Sequence, residues 1–127
     1  MIDIQNEQFR KRCVIYCRVS SAKQTTDGTG LLRQEEVCRN YAKVNGYEVE
    51  EVFTDVISGK ELHRPGMSEL HFFVKRNRPK ELVVLFEDIS RLARDVGVHA
   101  TLRMKLTATG AKLESTKQKF GTDPSTR

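Results

Sequence analysis

The sequence contains no apolar run of about 18 residues, the length that would be needed to cross a membrane. Its N-terminal stretch, MIDIQNEQFRKR, also lacks the apolar segment of a secretory signal peptide. Only three cysteines occur, Cys13, Cys17 and Cys38, and no two of them form a C-x-x-C pair. These absences favour a reducing, cytoplasmic compartment over a secreted or membrane-bound location.

Motifs for metal ions and nucleotides are absent as well. The histidines His63, His71 and His99 do not form H-E-x-x-H or another metal-ligand spacing. The aspartates that two-metal phosphoryl transfer would need are scattered along the chain. Neither G-x-x-x-x-G-K-[ST] nor G-x-G-x-x-G occurs. Metal chemistry therefore has weak support in the sequence, and a nucleotide site has none.

The composition is that of a globular protein with a basic excess. The 127 residues are enough for one domain with a sizeable core. Hydrophobic residues make up 38% and charged residues 31%, so the chain is too apolar to remain disordered. Lys and Arg number 22 against 17 Asp and Glu, a formal net charge of +5. This balance favours an anionic partner such as nucleic acid, but an excess of this size is also found in proteins without one.

Short apolar runs alternate with segments of helical periodicity. The predicted strands are CVIYCRV (13–19), YEVEEVF (47–53), ELVVLF (81–86) and AKLEST (111–116). The predicted helices are LLRQEEVCRNYAKVNG, which stops at Gly46, PGMSELHFFVKRN, which starts at Pro65, and DVGVHATLRMKLTATG, which Asp95 caps. This alternation predicts an α/β domain with a mostly parallel sheet flanked by helices.

Polar loops follow the first three predicted strands. They read SSAKQTTDGTG, DVISGKELHRPG and EDISRLARD, and each begins at the carboxyl end of its strand. In parallel α/β sheets this edge is where ligands bind. We therefore expect the functional site at this edge.

An arginine and a serine end the first strand. Because side chains alternate along a strand, Arg18 and Ser20 are predicted to point the same way. A serine hydroxyl is a weak nucleophile unless its developing charge is stabilised. Arg64, Arg91 and Arg94 lie in the second and third loops, and a guanidinium fork matches the oxygens of a phosphate. These arginines shift the interpretation of Arg18 and Ser20 towards a serine that attacks a phosphate.

A structural interpretation of the same residues stays open. In it, Ser20 and Ser21 start a turn and Arg18 lies on the surface. The arginines of the third loop would then form an exposed helix face paired with nearby acids, which are Glu87, Asp88 and Asp95.

The ordered set of three motifs resembles the catalytic domain of the serine site-specific recombinases, the resolvase/invertase family. YCRVSSAKQ is similar to the signature Y-x-R-V-S-[ST]-x-x-Q that opens this domain. FTDVISGKELHRPGM resembles the second motif, and LFEDISRLARD resembles the third. The resemblance covers roughly residues 12–126 and implies a four- to five-stranded, mostly parallel sheet of the resolvase type. The loops and the QKFGTDPS segment are closer to the large serine recombinases of phages and transposons.

The resemblance implies a role for each matched residue. Ser20 matches the nucleophile that attacks the scissile DNA phosphate, with Ser21 beside it, and Arg18 matches the arginine that contacts that phosphate. The other matched active-site positions are Gln24, Ser58, Arg64, Arg91 and Arg94. The implied reaction is cleavage and rejoining of a double-stranded attachment site through a 5′-phosphoserine link, without a metal or a cofactor. It implies dimers and tetramers of the full-length protein, and a bacterial or phage protein associated with the nucleoid.

The expected domain layout is an N-terminal extension over residues 1–11 and a catalytic domain over residues 12–127. In this family the catalytic domain continues into a long helix and a DNA-binding domain, and neither lies within the sequence. We therefore expect the chain to recombine little DNA by itself.

One departure from the family supports an alternative function. Ser90 stands where many members carry an aspartate, and the nearest acid before it is Asp88. The alternative is a catalytically silent, DNA-associated module of the same fold. A phospho-acceptor signalling domain is disfavoured, because it would need acids at the end of the first strand, where this sequence has RVSS.

Overall fold

The computed structural model describes residues 11–20, 30–58, 60–77, 82–92 and 95–117. Strands β1 to β4 span Lys11–Val19, Tyr47–Val56, Val83–Phe86 and Lys112–Ser115. Helices α1 to α4 span Leu31–Asn45, Pro65–Asn77, Ile89–Leu92 and Val96–Thr107. The N-terminal extension and the QKFGTDPS segment lie outside the described residues, apart from Lys11 at the start of β1.

The strands form one sheet in the order β2-β1-β3-β4, and every pairing is parallel. This confirms the predicted α/β class and all four predicted strands. The bounds differ slightly, since β2 continues to Val56 and β3 begins at Val83. None of the helices in the described part of the chain is both long enough and apolar enough to span a bilayer.

The ends of the helices follow the sequence signals. Gly46 adopts the left-handed conformation, with φ of 76°, and its N–H donates to the carbonyls of Ala42 and Lys43. Asp95 caps α4, because its Oδ1 accepts from the N–H of Val98 at 3.0 Å. The predicted start of α2 at Pro65 is confirmed as well.

Two apolar clusters pack on opposite faces of the sheet, because successive residues of β1 point to opposite sides. Val14 and Tyr16 face α2 and α4. Cys13, Ile15 and Cys17 face α1, where they pack against its Cys38. Cys13 and Cys17, four residues apart on β1, thus lie on one face of the sheet as small apolar residues.

We expect all three thiols to be unreactive in the folded protein. Burial raises the pKa of Cys13 and of Cys38 to about 12, and it raises the pKa of Cys17 well above its usual range. Since the thiolate is the reacting form, maleimide at about pH 8 should label these thiols only slowly. In guanidinium chloride, mass spectrometry should show rapid labelling of all three. Rapid labelling of the native protein would contradict the burial.

Candidate active site

Five of the predicted site residues lie at the carboxyl ends of β1, β2 and β3. They are Arg18, Ser20, Ser58, Arg64 and Arg91. Gln24 and Arg94, together with Ser21, lie outside the described residues. The topology therefore places the described members at the predicted edge of the sheet.

Ser20 directly follows β1 and is exposed. The hydrogen-bond ladder between β1 and β2 reaches this edge, since the N–H of Ile57 donates to the carbonyl of Val19 at 2.7 Å. Ser20 thus stands on a fixed strand end where a large substrate can reach it from solvent.

Arg18 lies beneath the edge, with only 1% of its surface exposed. Its Nη1 donates to the carbonyl of Ile57 at 2.7 Å, its Nη2 to that of Ser90 at 2.9 Å, and its Nε to that of Arg91 at 3.1 Å. The guanidinium therefore links the end of β1 to the segments that follow β2 and β3. The interpretation that placed Arg18 on the surface is wrong.

Gln34 of α1 holds the backbone of Arg18. Its Nε2 donates to the Arg18 carbonyl at 2.9 Å, and its Oε1 accepts from the Arg18 N–H at 3.1 Å. The last residue pair between β1 and β3 is Ile15 with Leu85. The backbone of Arg18 lies beyond that pair, and the side-chain amide of Gln34 satisfies its N–H and its carbonyl. Gln34 was not among the predicted site residues, and its signal was a glutamine on the apolar stripe of α1, four residues before Cys38.

Arg64 is the second buried arginine, again 1% exposed. Its Nε donates to the carbonyl of Glu61 at 2.8 Å, and its Nη1 donates to the carbonyl of Leu92 at the end of α3. The same Nη1 lies 3.4 Å from the hydroxyl of Tyr16. Two buried guanidinium groups therefore bind the backbone of the same short helix.

Asp55, near the end of β2, fixes the start of α2. It accepts from the Tyr16 hydroxyl at 2.7 Å and from the N–H groups of Gly66 and Met67 at 2.7 and 2.9 Å. Burial raises the pKa of Tyr16 above its ordinary value, so its hydroxyl keeps the proton that it donates. This network sets the position of α2 and hence of Arg64, one residue before the helix.

Asp88 caps α3, because its Oδ1 accepts from the N–H of Ser90 at 3.0 Å. The acid two residues before Ser90 thus has a structural partner in this loop. Ser58 is exposed and forms a turn in which its Oγ accepts from the N–H of Lys60 at 3.1 Å.

Glu87 follows β3 and is buried, whereas its sequence position suggested only a surface partner of the arginines. It forms ion pairs with Arg33 and with Lys117, whose Nζ lies 3.5 Å from Glu87 Oε2. The Nε of Arg91 lies 3.7 Å from Glu87 Oε1. The expected contact between Arg91 and Glu87 is confirmed, but on a buried carboxylate, with 22% of the Arg91 side chain exposed.

The carboxyl edge of the sheet carries the hydroxyl of Ser20 and the positive charges of Arg18, Arg64 and Arg91. Arginine cannot lose its proton at any relevant pH, so this charge is permanent. Within the described ranges, no three His, Cys, Asp or Glu side chains come close enough to hold a metal ion.

Several known proteins are similar to the chain. Residues 13–127 match the family model described as Resolvase, N terminal domain. The C-terminal catalytic domain of ISC1926 TnpA, an IS607-like serine recombinase, is 36% identical, with a TM-score of 0.70 over 84% of this chain and 70% of that one. The N-terminal catalytic domain of TP901-1 integrase is 29% identical, with a TM-score of 0.73 over 84% and 79%. The first open reading frame of transposon ISC1904 from Sulfolobus solfataricus P2 is 25% identical, with a TM-score of 0.63 over 89% and 72%.

Gly66 allows α2 to approach β2, and we expect Gly66→Ala to disturb the site. A Cβ at this position would lie 2.1 Å from the carbonyl oxygen of Thr54, so α2 must shift and strain its bonds to Asp55. Overpacking of this kind costs about 1–3 kcal/mol. Urea unfolding should show that loss, whereas Ser68→Ala, at an exposed position of the same helix, should change stability by less than about 0.5 kcal/mol. Equal stability of Gly66→Ala and the native protein would contradict this packing.

Proposed function

The chain belongs to the resolvase family as the catalytic domain of a serine recombinase, and on that premise we propose that Ser20 forms a covalent link to a 5′ phosphate of duplex DNA. The observation that carries the proposal is the exposed Ser20 at the end of a strand whose Arg18 is anchored from both sides. A nucleophile on such a support keeps its place while a large substrate docks.

The proposed reaction is an exchange of phosphoesters. The Oγ of Ser20 gives up its proton and bonds to phosphorus, and the bond from phosphorus to the 3′ oxygen breaks. That oxygen takes a proton and becomes a 3′ hydroxyl. One phosphoester bond forms for each one broken, so the link stores the energy for rejoining. The reverse attack, by a 3′ hydroxyl of the partner strand, restores the DNA and Ser20.

Arginine supplies the electrostatic stabilisation in this proposal. As the hydroxyl adds, negative charge grows on the equatorial oxygens of the phosphate. A single well-placed arginine accelerates phosphoryl transfer by about 10³–10⁵-fold, or roughly 4–7 kcal/mol. Arg91, whose side chain is partly exposed, is the described arginine best placed to touch the phosphate. Arg18 and Arg64 add positive charge from below and hold the backbone of α3.

The position of Ser90 supports catalysis over a silent module. The backbone carbonyl of Ser90 binds Arg18, and Asp88 provides the cap of the helix. The substitution at position 90 therefore leaves these two contacts in place, and the proposed set of serine and arginines stays complete.

Duplex DNA is the proposed partner, in agreement with the net charge of +5. Exchange between two duplexes breaks four strands, and each break uses one serine. We therefore include in the proposal that the full-length protein acts as a tetramer built from dimers.

The test is covalent trapping on nicked duplexes of randomised sequence. Cleavage near the nick releases a short strand with a 3′ hydroxyl, which diffuses away and prevents rejoining. At low salt, where fluorescence polarisation shows the duplexes to be bound, denaturing gels should reveal an adduct. Ser20→Ala should abolish it, a loss of at least about 10³-fold, because the attacking oxygen is gone.

Ser21→Ala is the matched control and should keep the adduct. No adduct from the full-length protein, folded and bound to DNA, would contradict the proposed activity and favour the silent module. An adduct that survives Ser20→Ala would contradict the choice of nucleophile.

A further inference from the structure

Glu87 is a buried carboxylate with cations from three separate elements around it. Only 1% of its side chain is exposed. Arg33 comes from α1, Arg91 from α3, and Lys117 from the segment after β4. Buried carboxylates are rare unless they are paired, and this one faces more positive charge than it carries.

The two carboxylate oxygens have different partners. Oε2 accepts a hydrogen bond from Arg33 and lies 3.5 Å from the Nζ of Lys117. Oε1 faces the Nε of Arg91 at 3.7 Å, and among the described residues neither of these two atoms has a hydrogen-bond partner. Glu87 therefore attracts Arg91 by charge without forming a directional bond to Nε.

The backbone of Glu87 is fixed to the neighbouring strand. Its carbonyl accepts from the hydroxyl of Thr116 at 2.8 Å and from that of Ser115 at 3.2 Å. The N–H of Thr116 also donates to the carbonyl of Phe86 at 3.0 Å. The carboxylate is thus held at the edge of the sheet independently of any substrate.

We propose that Glu87 is a positioning residue for Arg91. Its charge keeps the guanidinium at the carboxyl edge, with the Nε buried against Oε1, while 22% of the Arg91 side chain stays exposed and can meet a phosphate. It also offsets the mutual repulsion of Arg91, Arg33 and Lys117. The consequence for the reaction rate rests on the proposed function, whereas the placement of Arg91 does not.

The first measurement follows the Arg91 Nε–H group by nitrogen-15 NMR, with the signal assigned by its loss in Arg91→Lys. In the native protein we expect this group to be ordered and slow to exchange with water. Arg39, which pairs with Glu35 on an exposed face of α1, is the internal reference and should be more mobile. An Arg91 signal as mobile as that of Arg39 would overturn the proposal, whether or not any variant folds.

The second measurement compares Glu87→Gln with Glu50→Gln. Glu50 also pairs with an arginine, Arg12, but near the amino ends of β1 and β2. In Glu87→Gln the Arg91 Nε–H should exchange faster, and adduct formation at saturating DNA should slow by about 10- to 100-fold, as for a misplaced catalytic group. DNA affinity should stay equal or rise, because a negative charge has been removed. Glu50→Gln removes the same charge, so any change in DNA affinity should be shared, but it should leave the Arg91 Nε–H exchange and the rate of adduct formation unchanged.

The outcomes distinguish the positioning role of Glu87 from the proposed covalent link at Ser20. A folded Glu87→Gln with the native rate of adduct formation would overturn the positioning role, and so would an unchanged Arg91 signal. A parallel loss of stability and DNA affinity, with Arg91 still ordered, would instead show a purely structural residue. If the native protein forms no adduct, the proposed function fails, and the NMR comparison alone decides the placement of Arg91.

Discussion

Two buried guanidinium groups, those of Arg18 and Arg64, hold α3 against the carboxyl edge of the sheet. Burying a cation costs several kcal/mol of hydration free energy, and hydrogen bonds from its donors must offset this cost. Here the donors reach the carbonyls of Ser90, Arg91 and Leu92 in one short helix. Leu92 of this four-residue helix packs in the apolar core, and these bonds hold the backbone around it. The backbone that carries Arg91 is consequently set by residues from two other segments.

The same constraint makes the site one cooperative unit. Arg18 is itself held by Gln34 of α1, and Arg64 precedes a helix whose first N–H groups bind Asp55. The end of β1, the start of α2 and the short helix α3 therefore cannot move independently. Such preorganisation suits a reaction in which charge develops on a bound phosphate, because groups already in place need not reorganise. In the proposed reaction, the partly exposed Arg91 is the member of this unit that meets the phosphate.

The sequence predicted the elements well because their signals are local. Apolar runs marked the strands, and Gly46 and Asp95 marked helix ends. The edge of the sheet that carries the site followed from the parallel topology. The contacts of Gln34 with Arg18 and of Glu87 with Arg33 were not predicted, because these partners lie 16 and 54 residues apart along the chain. Strand alternation predicts on which side of the sheet the Arg18 side chain lies. It does not predict that the guanidinium donates to backbone carbonyls in the segments after β2 and β3.

Hydrogen exchange of the α3 amides in Arg18→Met tests the central claim most directly. In the native protein the N–H of Arg91 donates to the carbonyl of Asp88 at 2.8 Å. If the buried guanidinium holds this turn, the Arg91 amide should exchange at least about tenfold faster in the variant, and by a larger factor than amides within β1. Arg12→Met, which removes an ion pair near the other edge of the sheet, should leave it unchanged. Native protection of α3 in a folded Arg18→Met would contradict the account.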